Sequence, residues 1–107
     1  MTIFVNNAFS TKMVQENLAF TIEIITEEEF MTEVHKDNVH SVVGHEDTAE
    51  MFDLTWNRET LVLHKGDVLF VCELNNPTGT RLPVGITMVS ELPDGFFFRF
   101  LKVTILD

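Results

Sequence analysis

Two kinds of apolar stretch mark the strands of this chain. Apolar and polar residues alternate over 20–24, which is the pattern of a half-buried strand. Residues 68–74 are almost continuously apolar, and this predicts a strand in the middle of a sheet with both faces covered. Further strands are predicted at 2–5, at 60–63, which would pair with 68–74 in a hairpin, and at 96–105.

Capping signals place short helices between the strands. Thr26 and Glu29 form the capping-box pattern, in which two side chains satisfy backbone N–H groups at the start of a helix. Ser10 is placed to cap another helix over 11–17. Together these elements predict an α+β fold. It would be a single domain over 1–107, with about five strands in a mixed or antiparallel sheet and two or three short helices.

A third helix signal follows a glycine and a histidine. Asp47 or Thr48 can cap this helix, and its buried face would include Phe52 and Trp56 at helical spacing. His45 would then lie on the turn that leads into the helix, where unpaired backbone N–H groups favour an anion. An imidazole there can give or take a proton near neutral pH, which suits phosphate chemistry. A plain capping turn, with His45 in a local hydrogen bond, is the alternative.

Size and composition limit the class of protein. The chain has 107 residues, 45% of them apolar, which is enough for one folded core. No apolar run reaches the ~18 residues that a membrane-spanning helix needs, and the first residues lack the pattern of a signal peptide. The only cysteine, Cys72, has no internal disulfide partner and no neighbouring zinc ligands. We therefore expect a cytoplasmic protein that uses neither a membrane nor a metal ion.

The charge balance argues against binding to long nucleic acids. The formal net charge is −10, and only 7 residues are Lys or Arg, whereas such binding needs a basic surface. A small anionic ligand remains compatible, because charges beyond a Debye length of about 8 Å are largely screened. Arg81 lies in a predicted surface loop over 75–85, and its guanidinium suits bidentate contact with phosphate. An ordinary surface arginine is the alternative.

Four short motifs, in this order and spacing, give the chain a family resemblance. They are Asn7-Ala8-Phe9-Ser10, Gly44-His45-Glu46-Asp47-Thr48, Asn57-Arg58 and Arg81-Leu82-Pro83-Val84-Gly85. With these motifs the chain resembles the viral ring nucleases, a small protein family found in archaeal viruses, phages and some bacterial genomes. Its members act as anti-CRISPR proteins against type III systems. The likeness extends from the first predicted strand to the last.

The resemblance implies a homodimer that binds cyclic tetra-adenylate, the second messenger of type III CRISPR defence. In that family a ribose 2′-hydroxyl attacks the adjacent phosphodiester. The ring then opens without a metal ion or other cofactor and leaves a 2′,3′-cyclic phosphate end. A ring with two-fold symmetry suits a C2 dimer, in which both subunits present the same groups.

The resemblance also implies roles for individual residues. His45 matches the catalytic histidine, the general acid that protonates the departing 5′-oxygen, and Arg81 matches the arginine that contacts phosphate. The positions that match substrate-binding residues are Asn7, Ala8, Phe9, Ser10, Thr48, Arg58 and Leu82. Val84 stands where the family commonly has a glutamate that helps catalysis, and this departure favours binding over rapid turnover.

Two other functions stay open on the sequence. Val84 favours a sponge that holds a cyclic nucleotide without cutting it. The acidic surface and the apolar last strand, with Phe96-Phe97-Phe98, favour instead a structural or interaction protein of a virus or phage. Recovery of intact ligand after stoichiometric capture would indicate a sponge, and the absence of any nucleotide-induced thermal shift would indicate an interaction protein.

Overall fold

A mixed five-stranded sheet organises the part of the chain that the computed structural model describes, residues 1–77 and 81–106. The strands are β1 (Ile3–Asn6), β2 (Phe20–Ile25), β3 (Val39–Ser41), β4 (Val68–Asn75) and β5 (Phe97–Ile105). Their spatial order is β2-β5-β4-β1-β3. β1 runs parallel to β3 and β4, whereas β5 is antiparallel to β4 and β2. The predicted α+β class is confirmed.

Two α-helices are found in the described residues, α1 (Glu27–Val34) and α2 (Glu46–Met51). The predicted Thr26 cap is confirmed at α1, where the Thr26 hydroxyl accepts a hydrogen bond from the Glu29 N–H at 3.1 Å. Short 3-10 helices occur at Thr11–Met13 and Val89–Glu91. None of the described helices is long and apolar enough to cross a membrane.

The central strand β4 divides the core into two layers. Phe70 and Cys72 face the layer that contains α1 and α2, whereas Leu69 and Val71 face the opposite layer. All four side chains are buried. The nearly continuous apolar sequence therefore formed a strand covered on both faces, as predicted.

A cluster of phenylalanines holds α2 against the sheet. Phe52, at the end of α2, lies 4.9 Å from Phe98 and 5.7 Å from Phe100 between ring centroids. It also meets Phe30 of α1 edge-on at 5.8 Å. Offset and edge-on contacts of this kind add to the free energy of burial. The cluster fixes the C-terminal end of α2, and Phe97, which is 51% exposed, lies outside it.

The predicted helix over 11–17 is wrong in length. The Ser10 hydroxyl does cap a helix, accepting from the Lys12 N–H at 3.3 Å, but this 3-10 helix ends at Met13. The Leu63 N–H bonds to the Met13 carbonyl, and the Gln15 N–H bonds to the Leu63 carbonyl. These long-range bonds take backbone groups that a longer helix would have needed.

The predicted hairpin of 60–63 with 68–74 is also wrong. Of residues 60–63 only Leu63 makes a β-bridge, and it pairs with Val14. β4 has no free edge for a hairpin partner, because β1 occupies one edge and β5 the other. The turn over 64–67 is instead bonded to the residue before β1. The Asp67 carboxylate accepts hydrogen bonds from the N–H groups of Thr2 and His64.

Candidate functional site

The candidate site lies at the carboxyl ends of the three parallel strands. Asn7 directly follows β1, Asn76 directly follows β4, and His45 comes shortly after β3. Parallel strands direct these ends to one edge of the sheet, which is where open sheets commonly bind ligands. The sequence motifs that follow different strands are therefore brought together by the strand pairing.

A hollow of about 420 Å³ at this edge contains five of the predicted site residues. They are Asn7, His45, Thr48, Arg81 and Leu82. Its walls also include Val84 of the fourth motif and four residues that lie outside the motifs, namely Cys72, Leu74, Asn76 and Phe98. These four residues lie in β4, directly after it, or near the start of β5, and only knowledge of the strand order would have indicated them.

His45 itself caps α2, so the predicted cap at Asp47 or Thr48 is wrong. Its Nδ1 accepts a hydrogen bond from the Thr48 N–H at 3.2 Å and lies 2.8 Å from the Thr48 hydroxyl. An imidazole nitrogen can satisfy an unpaired helix N–H as an oxygen cap does. That N–H is therefore taken by His45 and is not available to an anionic ligand.

Asn7 and Arg58 hold the glycine that precedes His45. The Gly44 N–H donates to the Asn7 side-chain oxygen at 3.3 Å, and Arg58 Nε donates to the Gly44 carbonyl at 3.1 Å. A Cβ at Gly44 would lie 3.3 Å from the Arg58 Cγ, so a larger residue would require the arginine side chain to shift by a few tenths of an ångström. These contacts fix the turn that presents the imidazole.

Arg58 lies in a second hollow of about 570 Å³, which also includes His45 and Asn7. The segment that carries Arg58 is fastened to the end of β3. The Asn57 side-chain amide donates to the Ser41 carbonyl at 3.0 Å, and the Asn57 N–H donates to the Val43 carbonyl at 2.9 Å. His45 therefore lines one hollow together with Arg58 and another together with Arg81.

Trp56 is 52% exposed, so its predicted burial on the α2 face is wrong. The helix ends at Met51, and Asp53 adopts a positive φ of 54°, so helical spacing no longer applies at Trp56. Trp56 instead lines a third hollow of about 260 Å³ together with His45 and Arg58. The chain's single tryptophan thus lies beside the candidate site.

The segment that carries Arg81 is attached to α2. The Asp47 carboxylate accepts from the Gly85 N–H at 2.9 Å, and Gly85 has a positive φ of 91° that glycine adopts without strain. Val84, one residue earlier, is 99% exposed. Residues 78–80 of the predicted loop over 75–85 lie outside the described residues.

Ala8, Phe9 and Ser10 do not line the hollow of about 420 Å³ formed by the described residues. Phe9 packs edge-on against Phe20 of β2, with 5.3 Å between ring centroids, in the core layer opposite α2. Ala8 and Ser10 are exposed. The expectation that these three residues contact the ligand stays a prediction.

Two ionisable groups near the site have shifted pKa values. Burial raises the pKa of the Cys72 thiol to about 12, so this side chain is an apolar wall of the hollow and not a nucleophile. A hydrogen bond from His40 lowers the pKa of the Glu59 carboxyl, and one from Asn57 acts in the same direction. Glu59 thus adds a negative charge to the hollow that contains Arg58.

These features define a class: a small α+β protein with a mixed sheet and, at the ends of its parallel strands, a histidine that shares one hollow with each of two arginines. Residues 3–92 match the model of the STIV B116-like family, and the chain therefore belongs to that family. The family is named after a viral protein, which confirms the coarser part of the resemblance, a small viral protein family.

The structure is similar to that of B116 of Sulfolobus turreted icosahedral virus (STIV), with a TM-score of 0.77. The two sequences are 21% identical, and the match covers 97% of this chain and 99% of that chain. At this identity the likeness shows a shared fold. No curated protein matches the sequence.

Proposed function

We propose that this chain is a ring nuclease, which binds cyclic tetra-adenylate and opens it in the cytoplasm of an infected cell. The observation that carries the proposal is the convergence of His45, Thr48, Arg81, Asn7 and Leu82 on one hollow. These residues come from three separate motifs of the resemblance. Their convergence supports a shared ligand more strongly than any one motif does.

The chemistry needs few protein groups, because the substrate supplies its own nucleophile. The ribose 2′-oxygen loses its proton to solvent and forms a bond to the adjacent phosphorus, and the bond from phosphorus to the 5′-oxygen breaks. His45, as imidazolium, gives its Nε2 proton to the departing oxygen. Arg81 stabilises the charge on the phosphoryl oxygens. Positioning, proton donation and electrostatic stabilisation are sufficient contributions for such a step.

The distribution of charge favours a small ligand over a long nucleic acid. Arg58 and Arg81 lie in adjacent hollows that both include His45, whereas the chain as a whole has a net charge of −10. Two nearby guanidiniums can contact phosphates locally, while the surrounding acids disfavour a long polyanion. A homodimer would place two such sites around a ring with two-fold symmetry.

Trp56 provides a direct test of binding. Because it is the only tryptophan and lines a hollow with His45, its fluorescence should change when cyclic tetra-adenylate is added in EDTA. Linear poly-adenylate at the same nucleotide concentration should have little effect. Free N-acetyltryptophanamide titrated in parallel controls for absorption by the nucleotide, because the chain has no second tryptophan and no tyrosine. Equal or tighter binding of the linear polymer, or no response to the ring, would contradict the proposal.

A sponge is the second candidate, and Val84 is the observation that favours it. The side chain is 99% exposed on the loop beside α2, where the resemblance has a catalytic glutamate. Ligand would then be held by the same residues, but ring opening would be slow. Stoichiometric capture with the ring recovered intact would select this function.

Restoring the acid is expected to accelerate ring opening. At a fully exposed position Val84→Glu should not alter folding, and a suitably placed carboxylate contributes acid–base catalysis of about 10²-fold or more. Single-turnover rates measured beside the Val84→Gln control separate the charge from the longer side chain. Equal rates in both variants would show that this position takes no part in catalysis.

A further inference from the structure

Thr48 presents two hydrogen-bonding groups to one nitrogen of His45. Its N–H lies 3.2 Å from Nδ1, and its hydroxyl oxygen lies 2.8 Å from the same atom. Thr48 is 4% exposed, so its hydroxyl is directed at the imidazole from a buried position on the first turn of α2. Its backbone is fixed by the helix, and its side chain is fixed by packing.

The backbone contact determines the tautomer of the neutral imidazole. An N–H group can only donate, so Nδ1 must accept with its lone pair when it pairs with the Thr48 N–H. The neutral ring then carries its proton on Nε2. Nε2 makes no hydrogen bond to the described part of the chain, so it remains for a ligand.

The general acid of the proposed function requires a second proton on the ring. That proton is placed on Nδ1, and an Nδ1–H cannot accept from the Thr48 N–H. The hydroxyl is different, because it can either donate or accept at 2.8 Å. After Nε2 gives its proton to the departing oxygen, the proton on Nδ1 remains, and exchange with water restores the starting tautomer.

We propose that Thr48 is a positioning residue for His45, and this inference rests on the proposed function. The Thr48 hydroxyl donates to bare Nδ1 and accepts from Nδ1–H, so this bond holds the ring in every protonation state, whereas the bond from the Thr48 N–H is made only while Nδ1 is bare. The resemblance implies a different role for Thr48, direct contact with substrate. The charged residues that share a hollow with His45 are Glu46, Asp47, Arg58, Glu59 and Arg81.

Thr48→Val and Thr48→Ser separate these roles. Valine keeps the shape of the side chain and the backbone N–H but removes the hydroxyl, whereas serine keeps the hydroxyl. Misplacement of a catalytic group by about 1 Å can cost up to about 10²-fold in rate, so Thr48→Val should lower kcat by about 10-fold to 10²-fold with KM unchanged. Thr48→Ser should restore most of kcat. A raised KM with unchanged kcat would overturn the proposal in favour of substrate contact.

NMR of the ligand-free protein tests the inference apart from ring opening. With ¹⁵N-labelled histidine, the native protein should show the Nε2–H tautomer near neutral pH and a hydrogen-bonded Nδ1–H at low pH. The low-pH signal should be lost in Thr48→Val and retained in Thr48→Ser. Identical spectra in all three proteins would overturn the proposal. Were the native protein not to open the ring, the proposed function would fail while these spectra still decided the role of Thr48 toward His45.

Discussion

His45→Asn is expected to reduce ring opening by about 10²–10⁴-fold, the usual contribution of a general acid. Asparagine is a favourable N-cap, so its side chain can take over the Thr48 N–H that His45 now satisfies. The helix would keep its cap and lose only the proton donor. Single-turnover rates give the loss of catalysis, and a thermal melt checks that folding is unchanged.

Two further variants make this result specific. His45→Ala removes both acid and cap, and should show the same loss of rate with an additional destabilisation of about 0.5–2 kcal/mol. His64→Asn changes an exposed histidine that pairs with Asp67, away from the hollow, and should leave the rate unchanged. Ring opening by His45→Asn at the native rate would remove His45 from the mechanism.

Phe52→Ala is expected to destabilise the fold by about 3–5 kcal/mol, since a large aromatic side chain is lost from a packed core. Phe52 is 2% exposed and contacts the rings of Phe30, Phe98 and Phe100. The neighbouring rings belong to α1 and β5, so the surrounding core can relax only partly into the cavity. Urea unfolding followed by circular dichroism measures the change.

Phe97→Ala is the matched control for this loss. This variant also removes a phenylalanine side chain, here from β5. Phe97, however, is 51% exposed and lies outside the buried cluster. Its cost should be about 1 kcal/mol or less. Equal destabilisation by the two variants would mean that the aromatic cluster does not hold α2 as described. Because His45 caps α2, Phe52→Ala should also weaken ligand binding.

The sequence predicted the parts of the fold that depend on local patterns. The apolar run of β4 and the Thr26 cap of α1 are fixed by residues near in sequence, and both predictions were confirmed. The hairpin over 60–63 failed because β1 pairs with β4 from a distant part of the chain. No local signal records that pairing. Trp56 was misplaced for a different reason, since α2 ends at Met51, earlier than its apolar spacing indicated.

The candidate site was predictable to the extent that its motifs follow strands. His45, Arg81 and Asn7 were indicated by motifs, whereas Cys72 and Phe98 join them only through the order of β4 and β5. The cap of α2 was assigned to the wrong residues because cap preferences favour short oxygen-bearing side chains. The imidazole nitrogen of His45 satisfies the same N–H, and this contact depends on side-chain orientation that the sequence does not record.

The central claim is that this chain opens a bound cyclic oligoadenylate by attack of the ligand's own 2′-hydroxyl, and product analysis tests it most directly. Purified protein is incubated with cyclic tetra-adenylate in EDTA, and products are separated by chromatography before mass measurement. Because attack by the 2′-hydroxyl consumes no water, the account predicts a linear product of unchanged mass with a 2′,3′-cyclic phosphate end, followed by halves of that mass. A ring that stays intact, or a product that appears only when a divalent cation is present, would contradict the account.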